Sequence, residues 1–276
     1  MLPGFAPVPI VQSRSLRSLI AQAGLLANLQ VCLDPGSALS WPQGSTQTLK
    51  DSSGNGRDFY LGTTSGSDAA DPTFNGSIGA EDANTYFSSA GAAGLTKASA
   101  IDSWFNTLHY AGAAWSCLSL DYYTSTSSPG SGLCTQSGSF ATNNTAAGVT
   151  FYNSSQRPGF VVGSGSAAAG TTGLTTGTPI VTGSILMVGL GYMHTSNTSR
   201  TFVGYVNGTY ETNTYTNSVV MPSSGNASRA NADIGVSQAW NSGRRLYGWA
   251  MFNKLLSQAD WDALRTVLKA RRFPTI

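Results

Sequence analysis

The chain has 276 residues, of which 15 are Lys or Arg and 13 Asp or Glu, so its formal net charge is +2 and only 10% of it is charged. Ordinary soluble domains carry roughly 25%; here Ser, Thr, Asn and 32 glycines fill the gap, while apolar residues stand at 41%. This balance supplies a sizeable core and a polar, weakly charged surface suited to packing in an assembly or to an extracellular medium, and it excludes the clustered basic footprint of a nucleic-acid binder. The basic residues group only at Arg14/Arg17, Arg244/Arg245 and Lys269, Arg271 and Arg272, which read as solvated helix and loop charges. Cys32, Cys117 and Cys134 form an odd set without metal-ligand spacing and read as small buried apolar residues; nothing in the sequence supports a Cys117–Cys134 bridge. No run approaches the roughly 20 apolar residues of a membrane span, so no membrane partner is expected.

Residues 1–10 (MLPGFAPVPI) hold three prolines and are expected to run as an extended arm. Residues 11–30 place Leu16, Leu19, Ile20, Ala23, Leu26 and Ala27 on one helical stripe. Arm and helix (residues 1–30) are expected either to dock the module onto something larger, through Leu16, Leu19, Ile20, Ala23 and Leu26, or to cap one end of the main domain. Gln22, Asn28 and Gln30 interrupt the apolar run after Arg14 and Arg17, so it is not read as a signal peptide. An unprocessed chain made in the cytoplasm is expected.

From residue 31 to 276 the pattern is strand and loop, consistent with one domain. In residues 49–59 a polar turn joins apolar flanks, with Gly54 and Gly56 supplying positive φ and Asp51 capping turn amides. Strands are predicted at 85–88, 114–123, 151–152, 159–162 and 185–193, with loops at 125–138 and 163–177. Residues 200–210 (RTFVGYVNGTY) read as a hairpin turning at Asn207-Gly208. The closing stretch predicts strands at 232–236 and 245–253 as a hairpin-like pair around a polar loop, then a helix. Ser257 and Asp260 have capping-box spacing, Trp261, Leu264 and Leu268 form its apolar stripe, and Pro274 stops it.

Four segments in order, LKDSSGNGRDFYL (49–61), FVGYVNG (202–208), DIGVS (233–237) and LYGWAMFNKLLSQADWDAL (246–264), resemble the laminin-G / concanavalin-A-like lectin superfamily. Gly248, Asn253, Leu256, Ser257 and Asp260 match its closing motif, and the likeness covers roughly residues 31–271. It implies an all-β fold: a concanavalin-A-like jelly-roll β-sandwich with an N-terminal helix and a short C-terminal helix. Charge-poor, Gly/Ser/Thr-rich domains of this kind with an added N-terminal helix look most like those of tailed-bacteriophage virions. That likeness implies a non-enzymatic structural protein, decorating the capsid or forming a surface appendage. It would be assembled in the bacterial host cytoplasm, displayed on the virion surface, and partnered by capsid or tail proteins and by copies of itself. The rival expectation is a carbohydrate-binding module that attaches to a host-surface glycan.

Enzymatic readings fare poorly. Glycoside hydrolysis needs two carboxylates roughly 5–9 Å apart, and glucanases of this fold take them from an alternating Glu-x-Asp-x-x-Glu strand. Here Glu81 and Glu211 are the only glutamates, and Asp121 is the one acid in a strongly apolar strand. A catalytic His would have to be His109 or His194, read respectively as a packing residue and a solvent-facing strand end, and there is no G-x-S-x-G elbow. No catalytic residue is expected. Calcium, which domains resembling this one often hold at a rim, has Asp51, Asp58, Asp121 and Asp233 as candidates, but turn capping accounts better for Asp51 and Asp58, so no metal is expected. For sugar binding the best cluster is Trp240 with Gln238 and Asn241, on a loop; Tyr122/Tyr123 come next, split between two strand faces so that at most one is free.

Overall fold

A computed structural model describes residues 13–42, 47–91, 93–97, 103–125, 133–135, 147–154, 156–165, 171–216, 220–224, 232–236, 240 and 242–276. Two antiparallel sheets form a sandwich. The first runs β14 (Thr209–Tyr215), β13 (Ser199–Val206), β12 (Ile185–Ser196), β7 (Ala114–Tyr122), β16 (Arg245–Phe252), β5 (Tyr86–Ser88), β4 (Thr73–Asn75), with β1 (Leu29–Leu33) also paired to β16. The second runs β11 (Thr171–Thr175), β10 (Arg157–Ser164), β9 (Ala147–Ser154), β8 (Leu133–Cys134), β15 (Asp233–Ile234), β6 (Leu95–Lys97), β3 (Phe59–Leu61), β2 (Thr48–Leu49). The described helices are α1 (Leu16–Gln22), α2 (Ser103–Asn106) and α3 (Gln258–Arg271).

The first sheet is covered on both faces, which is why β12 and β16 read as largely continuous apolar runs rather than alternating ones. Toward the second sheet it presents Trp115, Tyr192, Phe202 and Trp249, which meet Phe59, Phe151 and Phe160 in one aromatic core. Its outer face carries Leu118, Leu120, Met187 and Tyr205, packed under α1 and α3 by Leu16, Leu19, Ile20, Trp261, Leu264 and Leu268. Glycines on the sheet make room for this second layer: a Cβ on Gly189 would lie 2.7 Å from the Trp261 ring, and one on Gly248 would lie 2.9 Å from Leu16. A bulge between Leu246 and Gly248 shifts the β16–β7 register. Leu246 and Trp249, three residues apart, therefore both point into the sandwich.

The hairpin turns where expected, with Asn207 at φ 46° and Gly208 at φ 101°. The capping box of α3 is present, Ser257 accepting from the Asp260 amide at 3.2 Å and Asp260 accepting from the Ser257 amide at 2.9 Å. Gly54 and Gly56 have positive φ, and Asp51 accepts from the Ser53 and Arg57 amides at 2.9 and 3.0 Å.

Other expectations are corrected. The N-terminal helix spans seven residues, not the whole of 11–30: Gly24 takes φ 78°, a short 3-10 turn follows at Leu26–Asn28, and the chain then pairs as β1 with β16. The docking stripe is largely spent internally, since Leu16, Leu19 and Ile20 are fully buried in the second core, Ala23 is half-buried, and only Leu26 is exposed, at 37%. The strands β15 and β16 belong to different sheets and are not a hairpin. The loop at 163–177 contains β11, and the loop at 125–138 contains β8. Arg244 and Arg272 are buried rather than solvated. The cysteines are buried and in no disulfide, as read from sequence, with Cys117 and Cys134 on opposite sheets.

Candidate binding site

The site grows from the start of β16, where Arg244 and Arg245 stand side by side. Successive residues of an extended chain point to opposite faces, so the two arginines part company. Arg244 turns inward and pairs with Asp121 of β7, both side chains almost wholly buried. Asp121 also accepts from the hydroxyls of Ser119 and Tyr123, the latter at 3.3 Å, and the Arg244 guanidinium lies over the Tyr123 and Trp240 rings at 5.3 and 5.0 Å. This is a buried charge neutralised in place, holding the loop before β16 to the sandwich interior. Trp240 belongs to it: the ring is 1% exposed and joins the inter-sheet core. Gly235 is required there, because its φ is 84° and a Cβ would collide with the indole. Trp240 is therefore a plug and offers no sugar platform; Gln238 and Asn241, its expected companions, lie outside the described residues.

Arg245 turns outward. In the antiparallel register it faces Tyr122 directly and Ser88 across the other edge, which sets Tyr86 on the diagonal. Its guanidinium rests against the Tyr122 ring at 4.5 Å and the Tyr86 ring at 4.9 Å. Beneath, the buried Tyr247 lies 5.2 Å from Tyr86 and 5.8 Å from Phe273, a rigid aromatic floor. Hydrogen bonding to Tyr247 is the main influence raising the Arg245 pKa, with the neighbouring tyrosines adding to it. Arg245, Tyr86 and Tyr122 are each half-buried, and no carboxylate within salt-bridge distance neutralises Arg245 among the described residues. Chemically this is a held cation between two aromatic faces with hydroxyls at hand. It can stack on an apolar ring face and donate to an oxyanion or to hydroxyl groups.

The division between Tyr122 and Tyr123 is the one expected, with Tyr123 buried and Tyr122 on the outer face. Tyr86 and Arg245 were not anticipated as its companions. The adjacent arginines at a strand start were the available signal, but the register that brings in Tyr86 is not written locally.

The remaining candidates are structural. Of the histidines, His109 is fully buried with its ring edge-on to Tyr110 at 4.8 Å. His194 is 8% exposed, not solvent-facing, and its Nδ1 accepts from the Gly112 amide at 3.0 Å; burial and the nearby Arg200 lower its pKa. The four calcium candidates are engaged by protein donors. Asp51 holds its turn and the Cys32 amide, Asp58 accepts from Lys50 at 2.8 Å, Asp121 pairs with Arg244, and Asp233 accepts from the Val236 amide at 3.1 Å. Among the described residues no group of three or more His, Cys, Asp or Glu side chains is placed to hold a metal ion. No described helix is long and apolar enough to cross a membrane.

The geometry defines an all-β sandwich of two antiparallel sheets, and solved structures share it. No known family model matches the chain, and no characterised protein matches it in sequence. In three dimensions it is similar to the binding domain of botulinum neurotoxin DC in complex with SialylT, at 12% identity and TM-score 0.59 over 88% of this chain and 52% of that one. It is also similar to a botulinum neurotoxin type C structure, reported with cell entry dependent upon interaction with two ganglioside molecules, at 11% identity and TM-score 0.58 over 89% of this chain and 52% of that one. A third likeness is the botulinum neurotoxin DC binding domain in complex with rat synaptotagmin II, at 12% identity and TM-score 0.57 over 88% of this chain and 52% of that one. The chain thus spans about half the length of the structures it matches, and at these identities the shared property is the fold.

Proposed function

We propose that the chain is a non-enzymatic recognition module that binds a glycan at Arg245, Tyr86 and Tyr122. The observation that carries this reading is the Arg245 guanidinium, held between two half-exposed tyrosine rings on the sheet with no carboxylate among the described residues to neutralise it. A sugar needs this pairing, a flat aromatic face for its C–H surface and charged or hydroxyl donors for its oxygens. The names of the similar structures support it, since one describes a binding domain in complex with SialylT and another cell entry dependent upon interaction with two ganglioside molecules. Asp51, Asp58, Asp121 and Asp233 are each engaged by protein donors, which favours binding over hydrolysis. A glycan array tests the proposal: the wild-type chain binds a restricted set of glycans and Arg245→Ala loses them at unchanged thermal stability. Binding to no glycan, or binding that ignores Arg245→Ala, refutes it.

The setting we propose is a virion surface, where the module faces a host glycan and is held by capsid or tail proteins and by copies of itself. The low charge of the chain supports that setting. Co-sedimentation of the chain with intact particles, and its absence from the soluble host fraction after assembly, is the expected result.

A further inference from the structure

The row of side chains that holds Arg245 continues across the sheet on both sides. Thr73 faces Ser88, Ser88 faces Arg245, Arg245 faces Tyr122 and Tyr122 faces Ile185, so one register line crosses β4, β5, β16, β7 and β12. Each of the five is the terminal residue of its strand, which makes the line a rim of the sheet. All five side chains share the outer face, because the residue beside each along the chain (Phe74, Phe87, Leu246, Tyr123 and Leu186) packs in the inter-sheet core. Thr73 is exposed and the other four are half-buried.

The shape of the open surface follows from what covers the rest. One step further along the strands, Tyr247, Leu120 and Met187 are buried in the second core. What stays open over β16, β7 and β12 is therefore a strip one residue deep, joined at β5 and β4 by the half-buried Tyr86 and Asn75. Four inter-strand spacings of about 4.8 Å make the strip roughly 19 Å long. Its chemistry changes along that length. The β4 end is polar: Asn75 Nδ2 donates to the Ser88 hydroxyl at 2.8 Å and to the Thr73 carbonyl at 2.9 Å, which fixes the amide. Asn75 Oδ1 and the Thr73 hydroxyl are left without a partner among the described residues. Arg245 and its tyrosines form the middle, and Ile185 the apolar end. A single sugar ring seated on Arg245 does not reach Thr73, two strands and roughly 10 Å away.

Given that a glycan binds at Arg245, Tyr86 and Tyr122, we propose that it is a linear oligosaccharide lying across the strands, with a further subsite at Ser88, Asn75 and Thr73. This subsite hydrogen-bonds the hydroxyls of the sugar next to the one on Arg245 and so sets the chain length the protein prefers. The probes are ladders of linear gluco-, galacto-, manno- and N-acetylglucosamine oligosaccharides, each from the monosaccharide to the hexasaccharide. They are printed on an array, and the ladder of the strongest binder is then titrated in solution against the full chain. Wild-type affinity should rise with chain length. Asn75→Ala should bind the long members about threefold to tenfold more weakly, as expected for one or two net hydrogen bonds, and the shortest bound member with unchanged affinity. Asn75 also bonds within the sheet edge, so Thr73→Val, which removes a hydroxyl that bonds nothing in the chain, serves as the second variant with the same expectation. Affinity that does not depend on chain length overturns the extended subsite and leaves the Arg245 reading standing. An equal loss for long and short members, or no loss in either variant, does the same. Binding to no glycan at all overturns both.

Discussion

Arg244 and Arg245 show how much one position decides. A one-residue step carries the second guanidinium from an interior ion pair to the outer face, where no carboxylate among the described residues neutralises it and two rings frame it. The same logic reassigns Trp240, the side chain a sequence reader would choose as a sugar platform. Trp240→Ala leaves a large cavity beside a buried charge, and losing a buried aromatic of this size costs about 3–5 kcal/mol. Urea unfolding is expected to show that loss, with glycan binding reduced only in proportion to unfolding. His194 supplies a pH signature. Its Nδ1 accepts a backbone amide proton, so the folded state favours the neutral ring, and its pKa is lowered from 6.5 by burial first and then by Arg200. The unfolded chain therefore binds the proton more readily, and this contribution to stability is complete above about pH 6.5 and lost as the pH falls toward the depressed folded value. Thermal unfolding of His194→Gln against wild type is expected to show a flatter decline over that acidic interval; equal slopes contradict the assignment.

At the scale of elements, the chain's two ends are joined by one buried ion pair. Asp34, just after β1, accepts from Arg272 at the end of α3 at 2.9 Å and from the Leu16 amide at the start of α1 at 2.7 Å. Gly36 is needed beside it, since a Cβ there would strike the Arg272 guanidinium. Removing one partner leaves the other charge buried, a loss of about 3–5 kcal/mol. Arg272→Ala should show it in denaturant titration, while an Asp34→Leu/Arg272→Met pair, which buries no lone charge, should lose markedly less. A similar loss in both forms would mean that packing, not charge, holds the junction. These elements also mark where reading the sequence succeeds. The start of α3 is encoded within a few residues by Ser257 and Asp260, and it appears as written. The end of α1 depended on β1 pairing with a strand more than 200 residues away, which a local stripe of leucines does not report.

The whole molecule is a three-layer arrangement in which one sheet is shared by two cores. That explains both what was legible and what was not. The strand-rich pattern, the Asn207-Gly208 turn and the closing motif around Gly248 identify a sandwich, because turns and caps are local. The candidate site is built instead from three strands, β5, β7 and β16, whose register is fixed by the full sheet and by the bulge near Gly248. Tyr122 was visible as a candidate; its partnership with Tyr86 and Arg245 was not.

We propose that this outer-face cluster recognises a glycan. The direct measurement is titration calorimetry of the best array glycan against wild type, Arg245→Ala and Tyr122→Ala, with melting temperature measured in parallel. Loss of a charge-assisted contact of about 1.5–3 kcal/mol predicts roughly 10- to 100-fold weaker binding for Arg245→Ala and a clear loss for Tyr122→Ala, at near-native stability. Wild-type affinity in both variants would contradict the account.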